Sequence, residues 1–485
     1  MLSPSEETII RISYREIDSS ISRLDAQIKD HQRRRHALCD HRQMLATLLA
    51  PVRRLAPELL GEIFRFCLPQ DYHEEGAYKA VMLPSHVCKY WRDVALSTPT
   101  LWTNIVLRIT NKTFESQAAL VTTWFSRTGS LSLSFTLDGQ ENVRPIMAFL
   151  LQHCNRWQYI NLRVPFETIQ PLESAKGYLQ HLETIRIDAM DEMDEMSYSV
   201  EHIFGSAPRL WELSLNCQLI WNGLSGSWAR LAELDVGDAS YTVGDCLTLL
   251  HSMRNLRKLS IYTDSDIAEH HHSVLSHPLV SFGALGTAAH QLFNHITLPS
   301  LRELSLGEID SEWPRSQLIS FLERSSPPFR NFSLGIPEIV DDVWNENMTQ
   351  ILQHIPSLHS LRLVYRQGDV GEGSFLKRLS PQILDGRQVD CLLPKLNTIS
   401  IHLECQLFAP DYGALKEMVF SRYSLAHNTN AGDNISSPVE QIWKVEVECF
   451  YDYGWNKDDV IWHEEVSEIL APLREVVNTV RVVIS

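Results

Sequence analysis

Apolar residues in the first fifty positions recur at alternating steps of four and three: Ile10, Tyr14, Ile17, Ile21, Leu24 and Ile28, then Leu38, Leu45 and Leu49. That spacing predicts a long helix with a heptad seam. His31, Arg35 and Arg42 interrupt the seam, so the segment reads either as a single helix or as a weakly self-associating coiled coil through residues 10–49. A second pattern follows at Leu55-Ala56-Pro57-Glu58-Leu59-Leu60-Gly61-Glu62-Ile63-Phe64, where a first-turn proline precedes Leu59, Leu60, Ile63, Phe64 and Cys67 at helical spacing. After a polar insertion, Val87 to Ala95 predicts another helix, which Ser97-Thr98-Pro99 ends just before Leu101-Trp102.

Beyond this point a short phrase repeats, an apolar residue followed three and five residues later by two more. Clear copies are Leu182/Ile185/Ile187, Leu210/Leu213/Leu215, Leu231/Leu234/Val236, Leu256/Leu259/Ile261, Leu301/Leu304/Leu306, Phe329/Phe332/Leu334, Leu358/Leu361/Leu363 and Leu396/Ile399/Ile401. Weaker ones are Trp157/Ile160/Leu162, Ile442/Val445/Val447 and Val477/Val480/Val482. Lead-ins such as Leu298-Pro299, Ile355-Pro356 and Leu393-Pro394 stop a helix before each strand begins. Each unit therefore predicts helix, turn and strand. One unit cannot cover its own apolar face, whereas stacked units bury it between parallel strands and helices. A doubly wound α/β sheet is the rival architecture, disfavoured because it needs no shared internal phrase.

The residues of the second pattern carry a resemblance. Leu-Pro-x-Glu-Leu-Leu-x-x-Ile-Phe in shifted form, then Val87-Cys88-x-x-Trp91-Arg92-x-Val94-Ala95 and Thr98-Pro99-x-Leu101-Trp102, is similar to the F-box. Ala56 stands where the family usually has its proline, and the linker Gln70–Met82 is longer than common. The resemblance implies docking on a Skp-type adaptor and, through it, on a cullin-RING ubiquitin ligase. It assigns Leu55, Pro57, Leu59, Leu60, Ile63, Phe64, Val87, Cys88, Trp91 and Trp102 to that contact or to the core behind it. The shorter repeat intervals fit the leucine-rich-repeat period of about 20–29 residues, and the copies resemble the irregular leucine-rich repeats that often follow an F-box. The whole layout looks like that of the expanded F-box family of mushroom-forming fungi.

The expected fold is thus α/β: an N-terminal heptad-like helix (1–50), a small all-α F-box (51–105) and a leucine-rich-repeat solenoid (106–485), with parallel strands on a concave face and helices outside. Of 485 residues, 44% are hydrophobic and 21% charged, which is ordinary for a globular protein. No apolar run reaches membrane-spanning length and Met1–Glu7 lacks the order of a signal peptide, so a cytoplasmic or nuclear location is expected. The net charge of −17 is uneven, with ten Lys/Arg against seven Asp/Glu in residues 1–54 and an acidic remainder. An acidic body disfavours nucleic acid, whose binding relies on Lys and Arg. Nine cysteines show no Cys-x-x-Cys pair, which predicts buried reduced thiols rather than zinc or disulfides.

Three segments invite chemistry. Glu269-His270-His271-His272 reads as a solvated loop, because consecutive histidines cannot converge on one metal from a strand or helix. Gly368-Asp369-Val370-Gly371-Glu372-Gly373 lacks the lysine of a phosphate loop, and the acidic run Asp188–Glu195 reads as a surface loop. The basic run Gln32–His36 reads as a solvated helix face. No enzyme, cofactor or metal site is expected. Polar positions between the repeat leucines are the candidates for reading a target protein: Trp211, Glu212, Glu233, Arg257, Lys258, Arg302, Glu303, His359 and Arg362. The expected function is substrate recognition within an SCF-type ligase. The alternative is a non-catalytic scaffold in which the F-box-like unit caps the solenoid.

Overall fold

The computed structural model describes residues 4–49, 51–68, 77–141, 143–189, 201–216, 228–265, 274–286, 288–308, 315–337, 340–365, 374–384, 388–403, 411–427, 439–449 and 466–484. Two compact units divide the chain, Met1–Trp102 and Thr103–Ser485.

The first unit holds four helices, α1 (Pro4–Leu49), α2 (Pro57–Phe66), α3 (Ala77–Val87) and α4 (Lys89–Ser97), with short 3-10 turns at Pro51–Arg54 and Pro99–Trp102. The heptad segment is one continuous helix, and every side chain from residue 8 to 46 is exposed. Two expectations are corrected. Residues 77–82, read as insertion, are helical, and Val87 closes α3 rather than opening the next helix. Pro84 lies inside α3, where its missing N–H removes one bond to the carbonyl four residues back. Residues 1–102 cluster together as one compact unit. The sheet begins at Asn104, slightly before the expected boundary.

The second unit contains strands β1 (Asn104–Ile109), β2 (Leu133–Gly139), β3 (Trp157–Val164), β4 (Thr184–Ala189), β5 (Glu212–Asn216), β6 (Glu233–Thr242), β7 (Lys258–Ser265), β8 (Leu275–Ser276), β9 (Ser281–Leu285), β10 (Ile296–Thr297), β11 (Glu303–Glu308), β12 (Asn331–Ile336), β13 (Ser360–Tyr365), β14 (Gln382–Leu384), β15 (Gln388–Asp390), β16 (Thr398–Leu403), β17 (Lys444–Cys449) and β18 (Thr479–Ile484). Among the described residues, fourteen of these form one sheet in the order β1-β2-β3-β4-β5-β6-β7-β9-β11-β12-β13-β16-β17-β18. All its pairs are parallel. The order never reverses, so the sheet has no topological switch point and the doubly wound rival is excluded.

Register shows why the apolar phrase repeats. Ile185, Leu213, Leu234, Leu259, Phe282, Leu304, Phe332, Leu361, Ile399 and Val445 align as one row across ten strands. All are buried. Alternate residues stay partly open, as in the strand beginning at Glu212 and the one beginning at Thr398, so one face is covered and the other is not. Val480 and Val482 are the exception, half-buried because β18 is an edge strand. Helices fill the covered side. In Asp342–Gln353, Asp341 caps the first turn by accepting from the Trp344 N–H at 2.7 Å, and Trp344, Met348, Ile351 and Leu352 form its buried stripe.

The interval between Leu256 and Leu301 contains a further strand of the sheet. Leu279/Phe282/Ala284 is a further copy that divides it nearly in half, disguised by alanine in the third position. Its lead-in His277-Pro278 contributes a buried imidazole whose Nε2 lies 3.1 Å from the Met253 carbonyl. Burial lowers the His277 pKa, opposed by that hydrogen bond and helped by Arg257. The folded state thus favours neutral His277, and the resulting stability is full above pH ~6.5 and falls as the pH drops below it, where the unfolded chain gains the proton first. His277→Gln is expected to flatten the decline of melting temperature between pH 7 and pH 5, measured by differential scanning fluorimetry.

A second buried polar group clamps the C-terminal half. Arg422, fully buried on Tyr412–His427, donates from Nε and Nη2 to the Leu379 carbonyl (3.2 and 2.9 Å) and from Nη1 to that of Leu393 (3.0 Å).

Candidate functional site

The helical unit sorts the residues assigned to adaptor contact into two groups. Leu60 and Phe64 are buried on one side of α2, and Trp102 is buried with its Nε1 donating to the Ala95 carbonyl at 2.9 Å. Phe64 packs on half-buried Trp91, ring centroids 5.0 Å apart. Gly61 fits close to Thr98, where a Cβ would stand 3.0 Å from the hydroxyl. The carbonyl of half-buried Leu55 accepts from the Tyr90 hydroxyl at 2.8 Å, and Arg92 donates to the Ser85 carbonyl at 2.8 Å. These contacts hold α2 and α3 against α4. Leu60, Phe64 and Trp102 therefore support a surface and do not belong to it.

Leu59 (58% exposed), Ile63 (43%) and Phe66 (77%) lie at i, i+4 and i+7 along the opposite side of α2. Pro57 is exposed at its first turn, and Arg65 sits over the Phe66 ring, 4.7 Å from its centroid. Leu83 and Val87, also one helical turn apart, are exposed on α3. The sequence reading missed Phe66 and Leu83. The i+7 step from Leu59 marks Phe66, whereas Leu83 falls between the Gln70–Met82 linker and the helix expected from Val87, in a stretch to which the spacing assigns no element.

Cys88 is half-buried and caps α4, its Sγ accepting from the Trp91 N–H at 3.5 Å. A hydroxyl accepts better from a backbone N–H than a thiol does. Cys88→Ala is expected to lower stability of this unit by about 1 kcal/mol and Cys88→Ser to preserve or raise it, as read by urea denaturation followed at the tryptophans. The expectation of buried thiols holds for Cys154 and Cys246, where burial pushes both thiol pKa values up. It is corrected for Cys39 and Cys67, which are exposed on helical surfaces.

On the sheet, the nine residues proposed for target reading also separate. Glu212, Glu233, Lys258 and Glu303 begin their strands, and Arg362 is the third residue of β13, all on the open face. Trp211, Arg257, Arg302 and His359 precede their strands by one residue and so do not share that face, because consecutive residues cannot point the same way. Their carbonyls instead each take two N–H groups from the following unit, as when Ala232 and Glu233 donate to Trp211 at 2.8 and 2.9 Å. Arg257, Arg302 and His359 repeat this step with Val280/Ser281, Arg330/Asn331 and Asn397/Thr398.

The better signal for the open face is the middle residue of each Leu-x-Leu pair. It adds Arg186, Asp235, Glu446 and Arg481 to the sequence-derived set. Charge gathers toward both ends of the sheet. Arg186 pairs with Glu212 at 2.6 Å, Arg163 with Asp188 at 3.5 Å and Lys258 with Glu233 at 3.8 Å. At the other end Arg362 lies 3.3 Å from Glu448 and 2.6 Å from Nδ1 of His402, while Glu446 joins Lys444 (2.7 Å) and Arg481 (3.5 Å). A guanidinium has no acceptor, so His402 accepts at Nδ1. Between the clusters the same row holds Ser260, Gly283, Ser305 and Ser333.

The segments Glu269–His272 and Gly368–Gly373, and the acidic run beyond Ala189, lie outside the described residues. The described residues contain no group of three or more His, Cys, Asp or Glu able to hold a metal ion. Nor is any described helix long and apolar enough to cross a membrane. Arg34 pairs with Asp30 at 2.9 Å on exposed α1, which makes the basic run a solvated helix face as expected.

Fold and site together define an α/β protein in which a small helical unit with an exposed apolar stripe precedes a long, sequentially ordered parallel sheet of solenoid-like construction. No protein-family model matches the chain, and no curated protein is significantly similar to it.

Proposed function

We propose that this protein is the substrate-recognition subunit of an SCF-type cullin-RING ubiquitin ligase, in which an F-box made by residues 51–102 docks on a Skp-type adaptor and irregular leucine-rich repeats read a target protein. The observation that carries this reading is the split of α2 into a buried side, Leu60 and Phe64, and an exposed apolar side, Leu59, Ile63 and Phe66. A small domain that leaves three large apolar side chains in water along one stripe has a surface suited to a helical or grooved partner. Leu59 and Ile63 of that stripe are among the residues through which the chain resembles the F-box.

The contribution to ubiquitin transfer is positional. The receptor performs no bond chemistry. It raises the effective concentration of a target lysine near the charged ubiquitin carrier. The open face, with charged clusters at both ends and small residues between, suits an extended protein segment of mixed charge. Cytoplasmic or nuclear residence is part of the same proposal, as is kinship with the F-box proteins of mushroom-forming fungi. Co-purification of the intact chain with a Skp-type adaptor and cullin tests it. Retention of both after gel filtration supports the receptor, whereas failure to retain the adaptor favours the scaffold reading.

A further inference from the structure

The apolar seam of α1 lies in water along the helix, with Ile10, Ile17, Ile21, Leu24, Ile28, Leu38 and Leu45 all exposed. Most helix stability in proteins comes from burying such a face, so the occupant of this one matters. We infer that α1 pairs with α1 of a second copy of this chain, in antiparallel orientation. The inference does not depend on the adaptor reading.

The argument is the placement of charge within the seam. Heptad positions a are Tyr14, Ile21, Ile28, Arg35, Arg42 and Leu49, and positions d are Ile10, Ile17, Leu24, His31, Leu38 and Leu45. In a parallel pair each layer meets itself, so Arg35 would face Arg35 and Arg42 would face Arg42 in successive a layers, with His31 against His31 in the d layer beside them. Like charges at that distance oppose assembly. In an antiparallel pair, a layers meet d layers. One alignment then matches Leu49 with Ile10, Leu45 with Tyr14, Arg42 with Ile17, Leu38 with Ile21, Arg35 with Leu24 and His31 with Ile28. Every polar seam residue meets an apolar one whose neighbour flanks it. For Arg35 and Arg42 those neighbours are Asp25 and Asp18, spaced by the same heptad as the arginines themselves. The cationic half of the helix is thus complementary to the half that carries the aspartates, which selects a second copy over an unrelated partner.

Sedimentation equilibrium of the full chain at tens of micromolar is expected to show a dimer. Asp18→Lys with Asp25→Lys is expected to weaken that dimer at least tenfold with helicity retained by circular dichroism. In a parallel pair those positions would face Ser13 and Ser20 and the change would be neutral. Asp18→Cys treated with a short bis-maleimide is expected to give a peptide joining position 18 to Cys39. Those positions are about 30 Å apart within one helix, so this cross-link arises only between copies. A monomer at these concentrations overturns the inference, and so does a dimer that ignores the lysine substitutions and yields no such cross-link.

Discussion

Replacing Leu59 and Ile63 together by aspartate is expected to abolish capture of a Skp-type adaptor while leaving the protein folded. Both side chains are exposed, Leu59 at 58% and Ile63 at 43%, and surface substitutions of this kind shift stability by only about 0.5 kcal/mol. In a complex they would be buried. Losing two such burials and desolvating two carboxylates costs at least about 3 kcal/mol, more than a hundredfold in Kd. Isothermal titration of the adaptor reads the loss, and the thermal melt reads the retained fold. The matching control is Leu60→Asp, one residue away but fully buried, which is expected to unfold the helical unit. Equal adaptor binding by the double variant and the native chain would remove α2 from the interface.

Arg422→Met is expected to carry the largest cost in the sheet unit. The guanidinium is fully buried and donates to the carbonyls of Leu379 and Leu393, 43 and 29 positions away in sequence. Burial lowers its pKa, with partial compensation from Cys391, whose Sγ lies 3.3 Å away. Methionine fills part of the volume but removes both guanidinium donors from the Leu379 carbonyl, at about 1–3 kcal/mol, whereas the Leu393 carbonyl keeps the Leu396 N–H at 3.1 Å. Relief of the guanidinium's own desolvation offsets some of this, so the net loss is about 2 kcal/mol. Because stacked units depend on their neighbours, the loss should concentrate near Leu379–Leu393 and Tyr412–His427. Hydrogen exchange is expected to accelerate there and to stay unchanged at β1–β4.

The sequence made much of this fold legible because one period governs it. Leu-x-x-Leu-x-Leu marks a strand whose second and third apolar residues face the helices, and every clear copy is buried in register. Where the phrase weakened, the reading faltered. Ala284 concealed the β9 unit. The repeat also misdirected part of the candidate site. Trp211, Arg257, Arg302 and His359 satisfy the position rule but stand before the strand, where their carbonyls link successive units. Sequence spacing cannot separate a residue that opens a strand from the one before it, whereas backbone pairing does. Within the helical unit, helical spacing found Leu59, Leu60, Ile63 and Phe64 of α2 but not Phe66, and did not say which side is covered, since Leu59 and Leu60 are adjacent. That choice is made by α4, through Trp91 on Phe64.

The central claim is that α2 and α3, and not the sheet, receive the adaptor. Hydrogen–deuterium exchange of the full chain with and without a Skp-type adaptor tests it most directly. The account predicts protection confined to residues 57–66 and 83–87, with the strands unchanged. Protection of the strands alone, or none at saturating adaptor, would contradict it.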